Sequence, residues 1–203
     1  MIEIYGSPRS SAGRCYWMLE ELGVAYKSMP LDMRAKEHKS PEFLKLNPNG
    51  KVPCLKEDDF VIWESMAINS YLADKHQSPL MGESAEERGL IAQWSYWSQL
   101  ELQKPLIDIF IQKVFVPEER RDMAVIEKAQ KAAPQLFLIL DQALANNKYI
   151  AGDRFTVADI NVASVVAIAD EVKMDISNYK NIQAWLSSCK DRPAYQKYES
   201  LKK

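Results

Sequence analysis

The sequence predicts two joined domains, a mixed α/β unit followed by an all-helical one. Three observations predict it: the apolar period changes repeatedly over the first third, strand signals stop after Gly82, and a Ser-, Pro- and Gly-bearing stretch separates the two regimes. Residues 1–77 are assigned to the first domain, 78–84 to a linker and 85–203 to the helical domain.

Ile2-Glu3-Ile4-Tyr5 alternates and stops at Gly6, which reads as a strand. Cys15, Met18, Leu19 and Leu22 then form one helical stripe with Gly23 where a C-terminal cap belongs. Residues 24–29 read as a second strand, and Pro41 to Leu46 as a short helix before the turn residues Asn47-Pro48-Asn49-Gly50. Val52 to Leu55 and Phe60 to Trp63, separated by Lys56-Glu57-Asp58-Asp59, suggest a hairpin. Ser65 is placed as the cap of a helix carrying Ile68, Tyr71 and Leu72 and ending near His76. The order is therefore β-α-β-α-β-β-α.

Beyond the linker, Leu90, Trp94 and Trp97 space a long helix that Pro105 should kink, and a further helix is expected over Glu118 to Ala145 with Pro134 inside it. Phe155-Thr156-Val157-Ala158-Asp159-Ile160 is a capping box: the Thr156 hydroxyl and the Asp159 carboxylate can each satisfy the other's amide, with Phe155 stapled against Ile160. Helix nucleation explains both polar residues, so they are assigned to folding.

Composition excludes several functions. With 26 Lys+Arg against 28 Asp+Glu, no basic excess is available to follow a phosphate backbone, so nucleic acid is not expected as a partner. Cys15, Cys54 and Cys189 are odd in number and never paired as C-x-x-C, which points to a reducing cytoplasm rather than a disulfide framework. His38 and His76 add no ligand cluster, so no metal is expected. Neither a basic leader before an apolar run nor a membrane-length apolar stretch is read from the sequence, and no membrane partner is expected.

The chemistry-bearing residues fall in the first domain. Gly6 to Arg14 joins the first strand to the first helix, so the hydroxyls of Ser10 and Ser11 face the positive end of a helix dipole, where anions are favoured. A thiolate is such an anion. Lowering a thiol from ~8.5 to ~6.5 takes about 2.7 kcal/mol, and one hydrogen bond to a charged group (~1.5–3 kcal/mol) with a helix terminus (~1–2 kcal/mol) suffices without a general base. On its own, a serine at such a turn is more often a plain helix cap. Pro53 opens a strand, where either peptide isomer fits; a cis bond would turn the Val52 amide and carbonyl outward for an extended peptide. Glu64 suits an ammonium and Ser65, at a helix start, a carboxylate, although an ordinary cap with an acidic neighbour reads the same way. His38 and Lys39 read by default as solvated loop residues.

Together, Asn47-Pro48-Asn49-Gly50-Lys51-Val52-Pro53, Glu64-Ser65-Met66-Ala67-Ile68 and the box at Phe155 to Ile160 resemble the cytosolic glutathione transferases along essentially the whole chain. The resemblance implies a thioredoxin-like N-terminal domain plus an all-α C-terminal domain, glutathione as co-substrate, a homodimer, a role in detoxification and a cytoplasmic location. Ser10, four residues before Arg14, is similar to the active serine of theta- and phi-like members, a serine type also found in bacteria. That likeness implies a hydroxyl donating to the glutathione thiolate, with Ser11 as the alternative donor. It further implies that His38, Lys39 and Lys51 meet the glycine end of the tripeptide, Val52 beside Pro53 pairs with its cysteinyl backbone, and Glu64 and Ser65 hold the γ-glutamyl end. Arg9, Tyr96, Trp97, Ile107 and Phe110 are expected to line a pocket for an apolar electrophile between the domains, or else simply to pack. Tyr5 lies too early and Cys15 too deep in the first helix for the tyrosine and cysteine types. A glutathione-dependent isomerase, peroxidase or thiol-exchange enzyme, and a non-enzymatic binding module, share the fold and remain alternatives.

Overall fold

Alternation in the first segment places Ile2 and Ile4 in the core while Glu3 and Tyr5 stay half-buried, and β1 spans Ile2–Tyr5. The computed structural model describes residues 1–202. They sort into two compact units, Met1–Met81 with the segment from Asp191 onward, and Gly82–Lys190.

In the first unit, β1 leads into α1 (Gly13–Leu22), which ends at Gly23 with φ 63°, the left-handed cap that the sequence marks. β2 (Tyr26–Met29) returns parallel to β1. After a 3₁₀ turn over Glu37–Lys39, α2 (Pro41–Leu46) starts from Ser40, whose side chain accepts the Phe43 amide. β3 (Cys54–Glu57) runs antiparallel to both β1 and β4 (Phe60–Trp63), giving the mixed order β2-β1-β3-β4. The hairpin is tighter than its sequence suggests, because Asp58 takes φ 54° and lets Lys56 and Glu57 join the strand. α3 (Ser65–Lys75) follows and ends at His76. The cap position is occupied by Glu64, whose side chain makes no cap bond, and Ser65 is the first helical residue rather than the cap.

α9 (Pro193–Ser200), expected with the helical domain, packs on α1 in this first unit. Trp17 meets Tyr195 edge to face at 4.8 Å, and the Arg192 guanidinium donates two bonds of 2.7 Å to the Glu21 carboxylate.

The second unit is helical. α4 (Ala85–Trp97), a π turn over Ser98–Leu102 and α5 (Gln103–Phe110) form one continuous run, followed by a second π turn, Ile111–Phe115. The first π turn lies just before Pro105, where the missing amide and the crowded preceding turn favour a wider backbone spacing. The buried face differs from the expected one. Leu90 is exposed and Trp94 and Trp97 only half-buried, while Ile91, Ser95, Ser98 and Leu102 are inside.

α6 (Met123–Leu144) begins later than expected because Asp122 caps it, accepting from the Ala124 and Val125 amides, and it continues through Pro134. α7 (Val157–Glu171) opens on the capping box, and α8 (Lys180–Lys190) packs on α6 and α7. The fully buried Asp159 carboxylate accepts from the Thr156 amide and hydroxyl, the Ile150 amide and the Trp185 indole. Among the described residues no helix is long and apolar enough to cross a membrane.

Candidate functional site

The loop from Gly6 to Ala12 leaves the sheet and folds into successive turns: the Ser10 amide donates to the Ser7 carbonyl at 2.9 Å and the Gly13 amide to the Ser10 carbonyl at 2.8 Å. Helix α1 is capped by Ala12, so neither Ser10 nor Ser11 occupies the cap position. Ser10 Oγ accepts the Ala12 amide at 3.2 Å and donates to the Ser7 carbonyl at 2.7 Å. The oxygen is held from behind by an amide while its proton rests on a nearby carbonyl, an arrangement in which the proton can turn to a better acceptor without moving the oxygen. Both serines are exposed, and the Ser11 hydroxyl has no hydrogen-bond partner among the described residues.

Other segments close around this loop. Gly6 sits at φ 121°, and a side chain there would press on Val52 Cβ at 3.0 Å and Ala12 Cβ at 3.1 Å, so the loop lies directly against Val52. The Val52–Pro53 bond is cis. Neither the amide nor the carbonyl of Val52 is bonded to a described residue. Asn47, buried, braces the segment from behind: its side-chain amide donates to the Lys51 carbonyl at 2.7 Å and its Oδ1 accepts the Asn49 amide at 3.0 Å. Lys39 Nζ donates to the Asn49 carbonyl at 3.0 Å, which fastens the His38-Lys39 turn to the same bend. His38 is half-buried with its Nδ1 buried and unpaired, while Lys39 and Lys51 are exposed.

The start of α3 is tied to α1 by Cys15 Sγ donating to the Ser65 carbonyl at 3.4 Å and by Asn69 Nδ2 donating to the Arg14 carbonyl at 3.3 Å. The first amides of α3 have no acceptor within the helix and carry the positive end of its dipole, which suits a carboxylate. Glu64, directly before them, is exposed and held at φ 74°, ψ 112°, a conformation that L residues rarely adopt. Such strain costs about 1–3 kcal/mol and collects at ligand clamps.

The structure thus brings Ser10, Ser11, Lys39, Lys51, Val52, Pro53, Glu64 and Ser65 onto segments that touch one another within the first unit. Cys15 and Cys54 belong to its packing, since burial pushes their thiols up to about 12 and about 11, far from a reactive thiolate. Among the described residues no group of His, Cys, Asp or Glu is placed to hold a metal ion.

Residues 2–74 match the family model described as glutathione S-transferase, N-terminal domain, and residues 105–193 match the one described as glutathione S-transferase, C-terminal domain. The chain belongs to the glutathione S-transferase family. It is 33% identical to glutathione S-transferase GstB of Escherichia coli (strain K12), covering 97% of each chain, and 31% identical to glutathione S-transferase 1 of Zea mays, covering 100% of this chain and 97% of the other. Among solved structures it resembles the theta class glutathione S-transferase of Xanthomonas axonopodis pv. citri with glutathione bound, at TM-score 0.90 and 35% identity over 97% and 95% of the two chains. It also resembles glutathione transferase F7 of Populus trichocarpa, at TM-score 0.91 and 26% identity over the whole of both chains. A thioredoxin-like domain with a helical partner, as the sequence predicts, is the glutathione S-transferase architecture.

The residues expected around the electrophile are placed differently from the rest. Arg9 belongs to the first unit, where its Nε donates to the Lys202 carbonyl at 2.7 Å. In the second unit Tyr96 is exposed, Trp97 is half-buried edge to face with Trp94 at 5.2 Å, and Ile107 is half-buried. Phe110 packs against Ile109, Ala129 and Val172, which is a core role. Sequence reasoning assigned no function to Asn47 or Asn69. Their signal was a polar residue at a position that the fold buries, and burial is not visible in a residue type alone.

Proposed function

We propose that this chain is a glutathione S-transferase that joins the thiolate of glutathione to electrophilic, largely apolar substrates, with Ser10 as the donor that keeps the sulfur ionised. The observation that carries the proposal is Ser10 Oγ, fixed by the Ala12 amide with its proton on a replaceable acceptor, in a loop whose Gly6 lies against Val52 with its unpaired backbone. The tripeptide would lie along Val52 beside Pro53. Its γ-glutamyl carboxylate would meet the amides at Ser65, its ammonium Glu64, and its glycine carboxylate His38, Lys39 and Lys51. Catalysis is electrostatic: a donor already in place stabilises the anion that attacks, and no residue takes up its proton as a general base.

The apolar acceptor class, a detoxifying role and a cytoplasmic location are part of the same proposal. So is a homodimer, for which exposed Phe60 and Trp63 on the edge strand β4 offer apolar surface. A monomeric mass by light scattering would refute the dimer.

Conjugation of glutathione to an aryl halide tests the chemistry. Ser10→Ala removes a bond to a charged group worth ~1.5–3 kcal/mol, so kcat should fall about 10- to 150-fold while the KM for glutathione changes little. Unchanged turnover in Ser10→Ala with loss in Ser11→Ala would transfer the role to Ser11.

A further inference from the structure

Among the described residues the loop that carries Ser10 has no ladder bonds to the sheet beyond the Gly6 amide, which donates to the Met29 carbonyl at 3.1 Å, and residues Ser7 and Arg9 to Ser11 are exposed. A donor that must meet a sulfur atom needs tighter placement than such turns provide, since useful sites hold their groups to about 0.5 Å. We propose that α9 and the turn after it are the positioning element for this loop, α9 acting through Tyr198 and the turn through the bond between Arg9 and the Lys202 carbonyl. The inference rests on the assignment of Ser10 as thiolate donor.

Helix α9 is anchored at its start and reaches the loop with its end. Arg192 grips Glu21 at the end of α1, Tyr195 meets Trp17 in its middle and Tyr198 lies against Gly13 at its start, so the two helices run in opposite directions. The far end of α9 is thereby brought beside the first turn of α1. There Tyr198, 7% exposed, donates its hydroxyl to the Pro8 carbonyl at 3.4 Å, and the Lys202 carbonyl accepts Arg9 Nε. Lys202 Nζ lies 4.5 Å from the centre of the Tyr198 ring and pairs with Glu199, which steadies the acceptor.

Gly13 supplies an independent observation. A Cβ built on it would stand 2.5 Å from the Pro8 carbonyl oxygen and 2.5 Å from the Tyr198 hydroxyl. The loop, α1 and α9 therefore meet at a point with no room for one methyl group. Pro8 and Arg9, the two residues immediately before Ser10, are held from Tyr198 of α9 and from Lys202 in the turn after it. On this view Arg9 is a positioning residue rather than a lining of the electrophile pocket.

A mutant cycle tests the proposal. Arg9→Met removes the bond to Lys202 from an exposed side chain, and Tyr198→Phe removes the bond to Pro8 while keeping the ring packing. The two are combined, with and without Ser10→Ala, and turnover, KM for glutathione and the thiolate absorbance of the bound complex are measured on variants whose thermal midpoints show them folded. Arg9→Met with Tyr198→Phe should lower kcat about five- to tenfold, move KM less than about twofold, and have less than about twofold further effect once Ser10 is alanine, because the three act through one group. Wild-type turnover and thiolate absorbance in the double variant would overturn the role of α9 and leave the Ser10 assignment standing. Losses that multiply with that of Ser10→Ala would show that α9 acts elsewhere and would also overturn it. A Ser10→Ala enzyme with wild-type turnover would instead overturn the donor assignment and the positioning role with it.

Discussion

Asp159 in the second unit and the loop of Ser10 in the first are both polar centres at the start of a helix, yet they are built in opposite ways. Asp159 is fully buried, and its carboxylate accepts four hydrogen bonds from Thr156, Ile150 and Trp185. Burial pushes its pKa up while those bonds pull it back, and no solvent-facing acceptor is left for a ligand. Around Ser10 the opposite holds: a hydroxyl proton on an exchangeable carbonyl, a free hydroxyl on Ser11, unpaired Val52 backbone groups and a strained Glu64. A closed polar centre organises the fold, whereas an open one spends stability on groups that only a ligand completes.

The contrast can be broken first at its closed end. Asp159→Ala leaves the buried Ile150 amide and Trp185 indole without their acceptor, so stability in a urea titration should drop by about 3–5 kcal/mol, with the helical unit losing its ellipticity first. A loss under about 1 kcal/mol would remove the distinction. At the open end, Glu64→Gln should raise the Kd for glutathione about tenfold by calorimetry, near 1.4 kcal/mol, with the urea midpoint almost unchanged. Equal effects on folding and binding would make Glu64 another structural residue. The smallest effect is expected at Glu57, whose carboxyl is held below the usual range chiefly by its hydrogen bond from Lys75. A depressed carboxylate pKa stabilises the fold above the unfolded value and stops doing so as pH falls through the folded one. Lys75→Met should therefore lower the urea midpoint slightly at neutral pH and leave it unchanged in acid, where Glu57 is protonated.

Local signals carried much of this architecture. Gly23 as a left-handed cap and the box at Thr156 each act within one helical turn, so they are visible in sequence and present in the structure. What escaped is non-local. The buried face of α4 and the π turn after it includes Ser95 and Ser98, satisfied by the Asn161 side chain and by the Ser95 carbonyl, and hydrophobic periodicity cannot foresee a buried serine. The attachment of α9 to the first unit depends on Arg192 finding Glu21 across most of the chain, which no window of residues can show. For the candidate site, motifs point to Ser10, Val52 and Glu64 as the residues to test. The backbone states there were not legible, because a glutamate gives no sign in sequence of the positive φ that Glu64 adopts.

The most direct measurement of the central claim is an ultraviolet pH titration of glutathione bound to the wild-type protein, read against the free tripeptide. The account predicts that the bound thiol ionises about two units lower than the free one, and that most of this shift disappears in Ser10→Ala. A bound thiol that titrates like the free one, in a protein that still turns over, would contradict it.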